Sequence, residues 1–158
     1  MNYEKNYAFV LEQHFTFGKV ACGNNAKTSS SAPDSTEKVG DVPTDKTILA
    51  NKKDATSQIR RDQLNADIRA REQRNNITGG DTNRASSDLA SEVRSKLEAN
   101  IPSSQLTVTA KDGAIIVSGT VQTQEQLNKI NSLTKEIKGV KSVQVLVKIA
   151  TATSSPKQ

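Results

Sequence analysis

The chain has 158 residues, 34% of them apolar and 3% aromatic, with a formal net charge of +5. That length supports one ordinary domain plus linkers. One Cys and one His rule out an internal disulfide and a His/Cys zinc cluster, and no apolar run reaches the length of a membrane span. The charge is spread along the chain and not gathered on one face, so it permits an anionic partner without naming one.

Residues 1–22 stand apart. All the aromatics (Tyr3, Tyr7, Phe9, Phe15, Phe17) and the lone His14 and Cys22 fall here. Tyr7 to Leu11 begins an apolar centre that Glu12, Gln13 and His14 interrupt, so the segment reads as a degenerate export signal. Val20-Ala21-Cys22 followed by Gly23-Asn24-Asn25 resembles a bacterial lipoprotein box, with Lys19 where that pattern has leucine. The resemblance makes Cys22 the candidate for lipidation; a free thiol in a tail is the other reading. Residues 23–53, rich in Ser, Thr, Asp and Pro, offer little to bury and are expected to form a disordered linker.

Residues 54–76 are dense in helix formers. Their apolar stripe is thin, and Arg60, Arg61, Arg69, Arg71 and Arg74 interleave with Asp62, Asp67 and Glu72. This favours a charged, solvated helix; an arginine-rich arm for lipid phosphate or RNA is the alternative. Gly79-Gly80 ends it, and residues 77–86 read as a loop.

The folded domain is expected over residues 87–150. Ser86-Ser87-Asp88 offers a helix cap, and Leu89, Val93 and Leu97 recur on one face until Pro102. Leu106 and Val108 alternate with Thr107 and Thr109 as a strand, and Lys111-Asp112-Gly113 supplies a hairpin turn. In the next strand Ile115, Val117 and Val121 share a face with Gly119, which reads as a packing position with a helix close above it. Thr123-Gln124-Glu125-Gln126 is a capping box. The helix it opens carries Leu127, Ile130, Thr134 and Ile137 on one side and is closed by Gly139. Val143, Val145, Val147 and Ile149 then alternate along a last strand, and residues 151–158 form a disordered tail.

The predicted fold is thus α+β, in the order αββαβ: a mixed three-stranded sheet with two helices on one face. The other face would carry Thr107, Thr109, Ile116, Ser118, Thr120, Gln144, Leu146 and Lys148. Left open, it would suit weak self-association, a protein partner or docking of the preceding helix.

The elements and two motifs resemble the BON domain, the bacterial osmotically inducible and nodulation module. The glycine-led strand with an internal glycine corresponds to Gly113, Ile115, Val117, Gly119 and Val121, and the glycine-valine pair after the second helix to Gly139, Val140 and Val143. The resemblance implies a non-enzymatic envelope protein, periplasmic or lipid-anchored, that binds anionic phospholipid or an envelope protein and supports envelope integrity under stress. Without Trp or Tyr in the domain, basic side chains would have to meet the headgroups. The candidates are Arg94, Lys96, Lys129, Lys135, Lys138 and Lys141, with Glu125 placed to pair with Lys129. No catalytic residue, metal or cofactor emerges. A nucleic-acid role is disfavoured, since neither a GXXG clamp nor stacking aromatics are present.

Overall fold

The computed structural model describes residues 25–78, 80 and 84–150. The expectations for residues 1–22, Cys22 included, and for 151–158 lie outside the described residues. The elements in order are β1 (Ala26–Lys27), α1 (Asp45–Thr56), α2 (Gln58–Thr78), α3 (Ser86–Asn100), β2 (Gln105–Lys111), β3 (Ala114–Val121), α4 (Gln124–Lys135) and β4 (Ser142–Ile149).

The last five elements follow the αββαβ order. Asp112 and Gly113 both take positive φ, 52° and 86°, as a two-residue hairpin between β2 and β3 requires. β3 then pairs in parallel with β4, with Val117 opposite Val145. Leu89, Val93 and Leu97 of α3 and Ile130 of α4 bury with Leu106, Val108, Ile115, Val117 and Val121 on one face of the sheet, so the core is aliphatic throughout. Thr123 caps α4, its hydroxyl accepting the Gln126 N–H (3.3 Å), and the Gln126 side chain reaches back past the cap residue to accept the Gln122 N–H (2.8 Å).

The sheet has four strands, not three. β1 adds antiparallel to β2, with Ala26 opposite Val108 and Lys27 opposite Thr107. Thr28 extends the junction: its N–H donates to the Leu106 carbonyl (2.9 Å), and its hydroxyl accepts the Leu106 N–H (2.9 Å) while donating to the Ser104 carbonyl (3.1 Å). The described part of the expected 23–53 linker is accordingly ordered. Residues 28–44 form a strap across the second face of the sheet. There the Thr107 hydroxyl donates to the Pro33 carbonyl, the Ser118 hydroxyl donates to the Lys38 carbonyl (2.7 Å), and the hydroxyls of Thr36 and Thr109 meet at 3.3 Å. Little apolar area is needed, because backbone carbonyls of the strap satisfy hydroxyls that burial would otherwise leave without water. Thr107 and Ser118 are buried on these terms, Thr120 is buried with its hydroxyl unpaired among the described residues, and the β4 side chains Gln144, Leu146 and Lys148 are exposed on this face. The Thr44 hydroxyl then caps α1 by accepting the Thr47 N–H (3.3 Å).

Three local expectations are corrected. Ser86 does not cap α3; its hydroxyl instead accepts the Asp112 N–H (3.3 Å) and ties the helix to the hairpin tip. α4 ends at Lys135, before Gly139, which takes φ +91° in the turn that follows. Gly119 is crowded by the neighbouring strand, not by a helix. Its φ is +131°, and a Cβ there would lie 1.9 Å from the Gln105 carbonyl oxygen of β2. Backbone cannot move aside as a side-chain tip can, so even the smallest side chain meets both a clash and a strained φ. Gly119→Ala is expected to lower stability by about 2–5 kcal/mol in urea denaturation, and a wild-type midpoint would contradict this account.

Candidate functional site

The basic candidates divide according to what surrounds them. Arg94 projects from α3 toward α2 with its side chain 18% exposed, held by Glu98 (3.2 Å) and Asp67 (3.5 Å). Lys96, 24% exposed, reaches Glu136 at 2.6 Å. These two serve the fold's own ion pairs. Lys129, Lys135, Lys138 and Lys141 are exposed, and none makes an ion pair within 4.0 Å among the described residues. The expected Glu125–Lys129 pair does not close. The Thr123 side chain and the helix-start backbone hold the Glu125 carboxyl below its ordinary pKa, and the Lys129 charge adds a smaller push.

The loop that carries Lys138 and Lys141 is fixed at two points. The Lys138 carbonyl accepts the Arg84 guanidinium (2.8 Å), and the Lys141 N–H donates to the Gly113 carbonyl (2.8 Å). Gly113 must stay small, since a Cβ would come within 2.9 Å of both the Gly139 carbonyl and the Lys141 side chain. The hairpin glycine and the glycine after α4 therefore form one junction, and Lys141 leaves from it. Arg84 itself is buried against Glu92. Burial pushes the Glu92 carboxyl up even though Arg84 opposes it. The cleft beside this pair, about 350 Å³ between α2, α3 and α4, mixes Glu72, Glu92 and Glu136 with Arg84, Lys96 and Lys138. It has no single sign of charge, unlike the four exposed lysines on and after α4.

A second constellation, unforeseen from sequence, joins α2 to α3. Arg60 makes a two-pronged bond to Glu98 (2.6 and 2.9 Å), whose side chain is 2% exposed. Arg71 bridges Asp67 (2.9 Å) and Asp88 (2.5 Å), Arg74 adds to Asp88 (3.0 Å), and the Ser95 hydroxyl donates to Asp67 (2.7 Å). Leu64 is buried within this layer. α2 is thus a docked helix and not a solvated one: Arg60, Arg71 and Arg74 are engaged, while Arg61 and Arg69 face solvent. The signal lay in the spacing. Arg60, Leu64, Asp67, Arg71 and Arg74 fall three or four residues apart along one helical stripe.

Among the described residues, no group of three or more His, Cys, Asp or Glu side chains is placed to hold a metal ion, and no helix is long and apolar enough to cross a membrane.

The family model for the BON domain matches residues 85–151, which span α3 to the end of β4. This stretch is a BON domain. The chain is also similar to osmotically-inducible protein Y of Escherichia coli (strain K12), 42% identical over 55 residues, or 34% of this chain. The overlap spans only 27% of that relative's length. No solved structure matches the chain. The glycine motifs that carried the resemblance are the Gly113–Gly139 junction and the Gly119 strand contact. α1, α2 and the strap lie outside the matched BON stretch yet pack against it.

The α2–α3 layer makes stability depend on acid. Burial raises the Asp67 carboxyl, but hydrogen bonds from Arg71 and Ser95 and the charges of Arg71 and Arg94 bring it below the usual range. A hydrogen bond and charge from Arg74, joined by Arg71, lower Asp88 against a smaller burial effect. Each group therefore stabilises the fold fully above about pH 4, and its contribution is lost as pH falls through the lowered folded value. Glu92 acts in the opposite sense: folding is less costly once it is protonated. Thermal melts should show Asp67→Asn less stable than wild type at pH 6 and the gap narrowing as pH falls below about 4. A gap independent of pH would contradict an ionic role for Asp67.

Arg60→Met should cost about 2 kcal/mol in urea denaturation, because Glu98 stays buried with Arg94 as its remaining cation. No change in the midpoint would show that the pair contributes nothing.

Proposed function

We propose that the chain is a non-enzymatic bacterial envelope protein whose BON domain meets anionic phospholipid headgroups through Lys129, Lys135, Lys138 and Lys141. The observation that carries this reading is the division among the basic candidates: Arg94 and Lys96 are taken up by acids of the fold, while these four keep their charges exposed and unpaired among the described residues. The BON match and the similarity to a protein named for osmotic induction support an envelope and osmotic-stress setting; on this reading the domain is periplasmic or, through the lipobox-like Val20-Ala21-Cys22, lipid-anchored. A flexible ammonium suits this task, since it follows a fluid anionic surface without needing a fixed geometry. The basic arm of α2 is the weaker alternative for lipid or RNA, because three of its arginines are bound to α3.

Flotation with phosphatidylcholine vesicles, with and without phosphatidylglycerol, tests the reading. The chain should float only with the anionic vesicles and less as salt rises. Each Lys→Gln change among the four should lower partitioning roughly five-fold, since a lysine near an anionic surface contributes about 1 kcal/mol. Absence of binding at low salt would contradict lipid recognition and favour an envelope protein as the partner.

A further inference from the structure

The sheet is closed on one side and open on the other. β1 pairs with the outer side of β2, whereas no strand among the described residues pairs with the outer side of β4. β4 reads Ser-Val-Gln-Val-Leu-Val-Lys-Ile, with one charge in eight residues and no Pro, a composition that edge strands ordinarily avoid. Leu146, 40% exposed, and Ile149, 42% exposed, are the large hydrophobic residues that residues 84–150 leave exposed, and both lie on this strand. Val143, Val145 and Val147 are only half-buried.

We propose that β4 pairs antiparallel with β4 of a second copy of this chain, about a two-fold axis at Leu146. Backbone direction sets the parity. The N–H of Ser142 donates to the Gly113 carbonyl (3.4 Å) and that of Ala150 to the Val121 carbonyl (2.8 Å), so even-numbered residues turn their N–H and C=O toward β3. Alternation along the strand turns those of Val143, Val145, Val147 and Ile149 outward. Only registers that pair odd residues with odd ones match these donors and acceptors, and the same registers keep both helix layers on one side of the joined sheet.

Among them, the axis at Leu146 suits the side chains best. Val145 then faces Val147 of the second copy, and Val143 faces Ile149. Leu146 meets its own counterpart at a non-hydrogen-bonded position, where side chains approach most closely. Lys148 faces Gln144, so no like charges are opposed. An axis at Lys148 would set lysine against lysine, one at Val147 would place Leu146 against Lys148, and axes at Val145 or Gln144 would place Leu146 against Gln144 or Ser142. The pattern is complementary to itself, which is what a two-fold interface requires.

Sedimentation velocity over a concentration series, followed by cross-linking, tests the pairing on the full chain. Wild type should pass from monomer to dimer as concentration rises. Leu146→Lys should remain monomeric with an unchanged melting temperature, since this side chain contributes little to the core. In a Cys22→Ser background, Leu146→Cys should form a disulfide-linked dimer under mild oxidation and Gln144→Cys should not, because the residues of that pair lie on opposite sides of the axis. A chain monomeric at its highest soluble concentration would overturn the proposal. So would a dimer that survives Leu146→Lys, or cross-linking as efficient through Gln144→Cys.

Discussion

A carboxylate withdrawn from water must keep a cation beside it, and Glu98 on α3 is such a carboxylate. Arg60 of α2 meets it with two parallel hydrogen bonds, and Arg94 approaches from the same helix. Much follows from that requirement. α2 must lie along α3, which brings Asp67 within reach of Arg94 and Ser95 and places Arg71 and Arg74 against Asp88. Arg94 is thereby withdrawn from the surface, while Lys129, Lys135, Lys138 and Lys141 on and after α4 stay exposed. The division between structural and available cations is a product of how α2 docks.

The core explains why such flanking layers are there. It consists of Leu, Ile, Val and Ala without an aromatic ring, and a domain of this size buries a smaller fraction of its surface than a larger one does. Two polar layers extend it. On the helix side α2 contributes charge pairs around a single buried Leu64. On the far side the strap contributes carbonyls to Thr107 and Ser118 and a backbone ladder at Thr28. Both convert polar surface into satisfied, water-excluded contacts, and neither relies on the apolar periodicity that marks the central elements. The β4 edge and a narrow strip beside it still face solvent, with Leu146 and Ile149 exposed on them.

The contrast between what was legible and what was not follows the same division. Leu89, Val93 and Leu97 at helical spacing, the alternating strands, Asp112-Gly113 and the Thr123 capping box announce the αββαβ domain, because apolar period and turn chemistry are local. The strap was hidden because its bonds come from the carbonyls of Pro33 and Lys38, and a carbonyl leaves no mark on residue type. A Ser/Thr-rich stretch reads as linker whether or not it finds hydroxyl partners. Apolar periodicity alone makes α2 look solvated, whereas the stripe that docks on α3 is made of Arg60, Asp67, Arg71 and Arg74 around Leu64. Gly119 was recognised as a tight position, but its neighbour, the Gln105 carbonyl, depends on strand register. Of the basic candidates, Arg94 pairs with Glu98 one turn along α3, which its spacing shows, whereas Asp67 and the Lys96 partner Glu136 lie on other elements, which spacing within one helix cannot reveal.

The central claim is that the strap and α2 are integral layers of the fold and not a tether leading to it. Native-state hydrogen exchange on the full chain tests this most directly. The Thr28 amide, bonded to the Leu106 carbonyl, and the amides in the middle of α2 should be protected far above unfolded-chain rates, and should lose part of that protection in Arg60→Met. Exchange of both sets at unfolded-chain rates, while β2 and β3 remain protected, would show that the domain stands alone and would contradict the account.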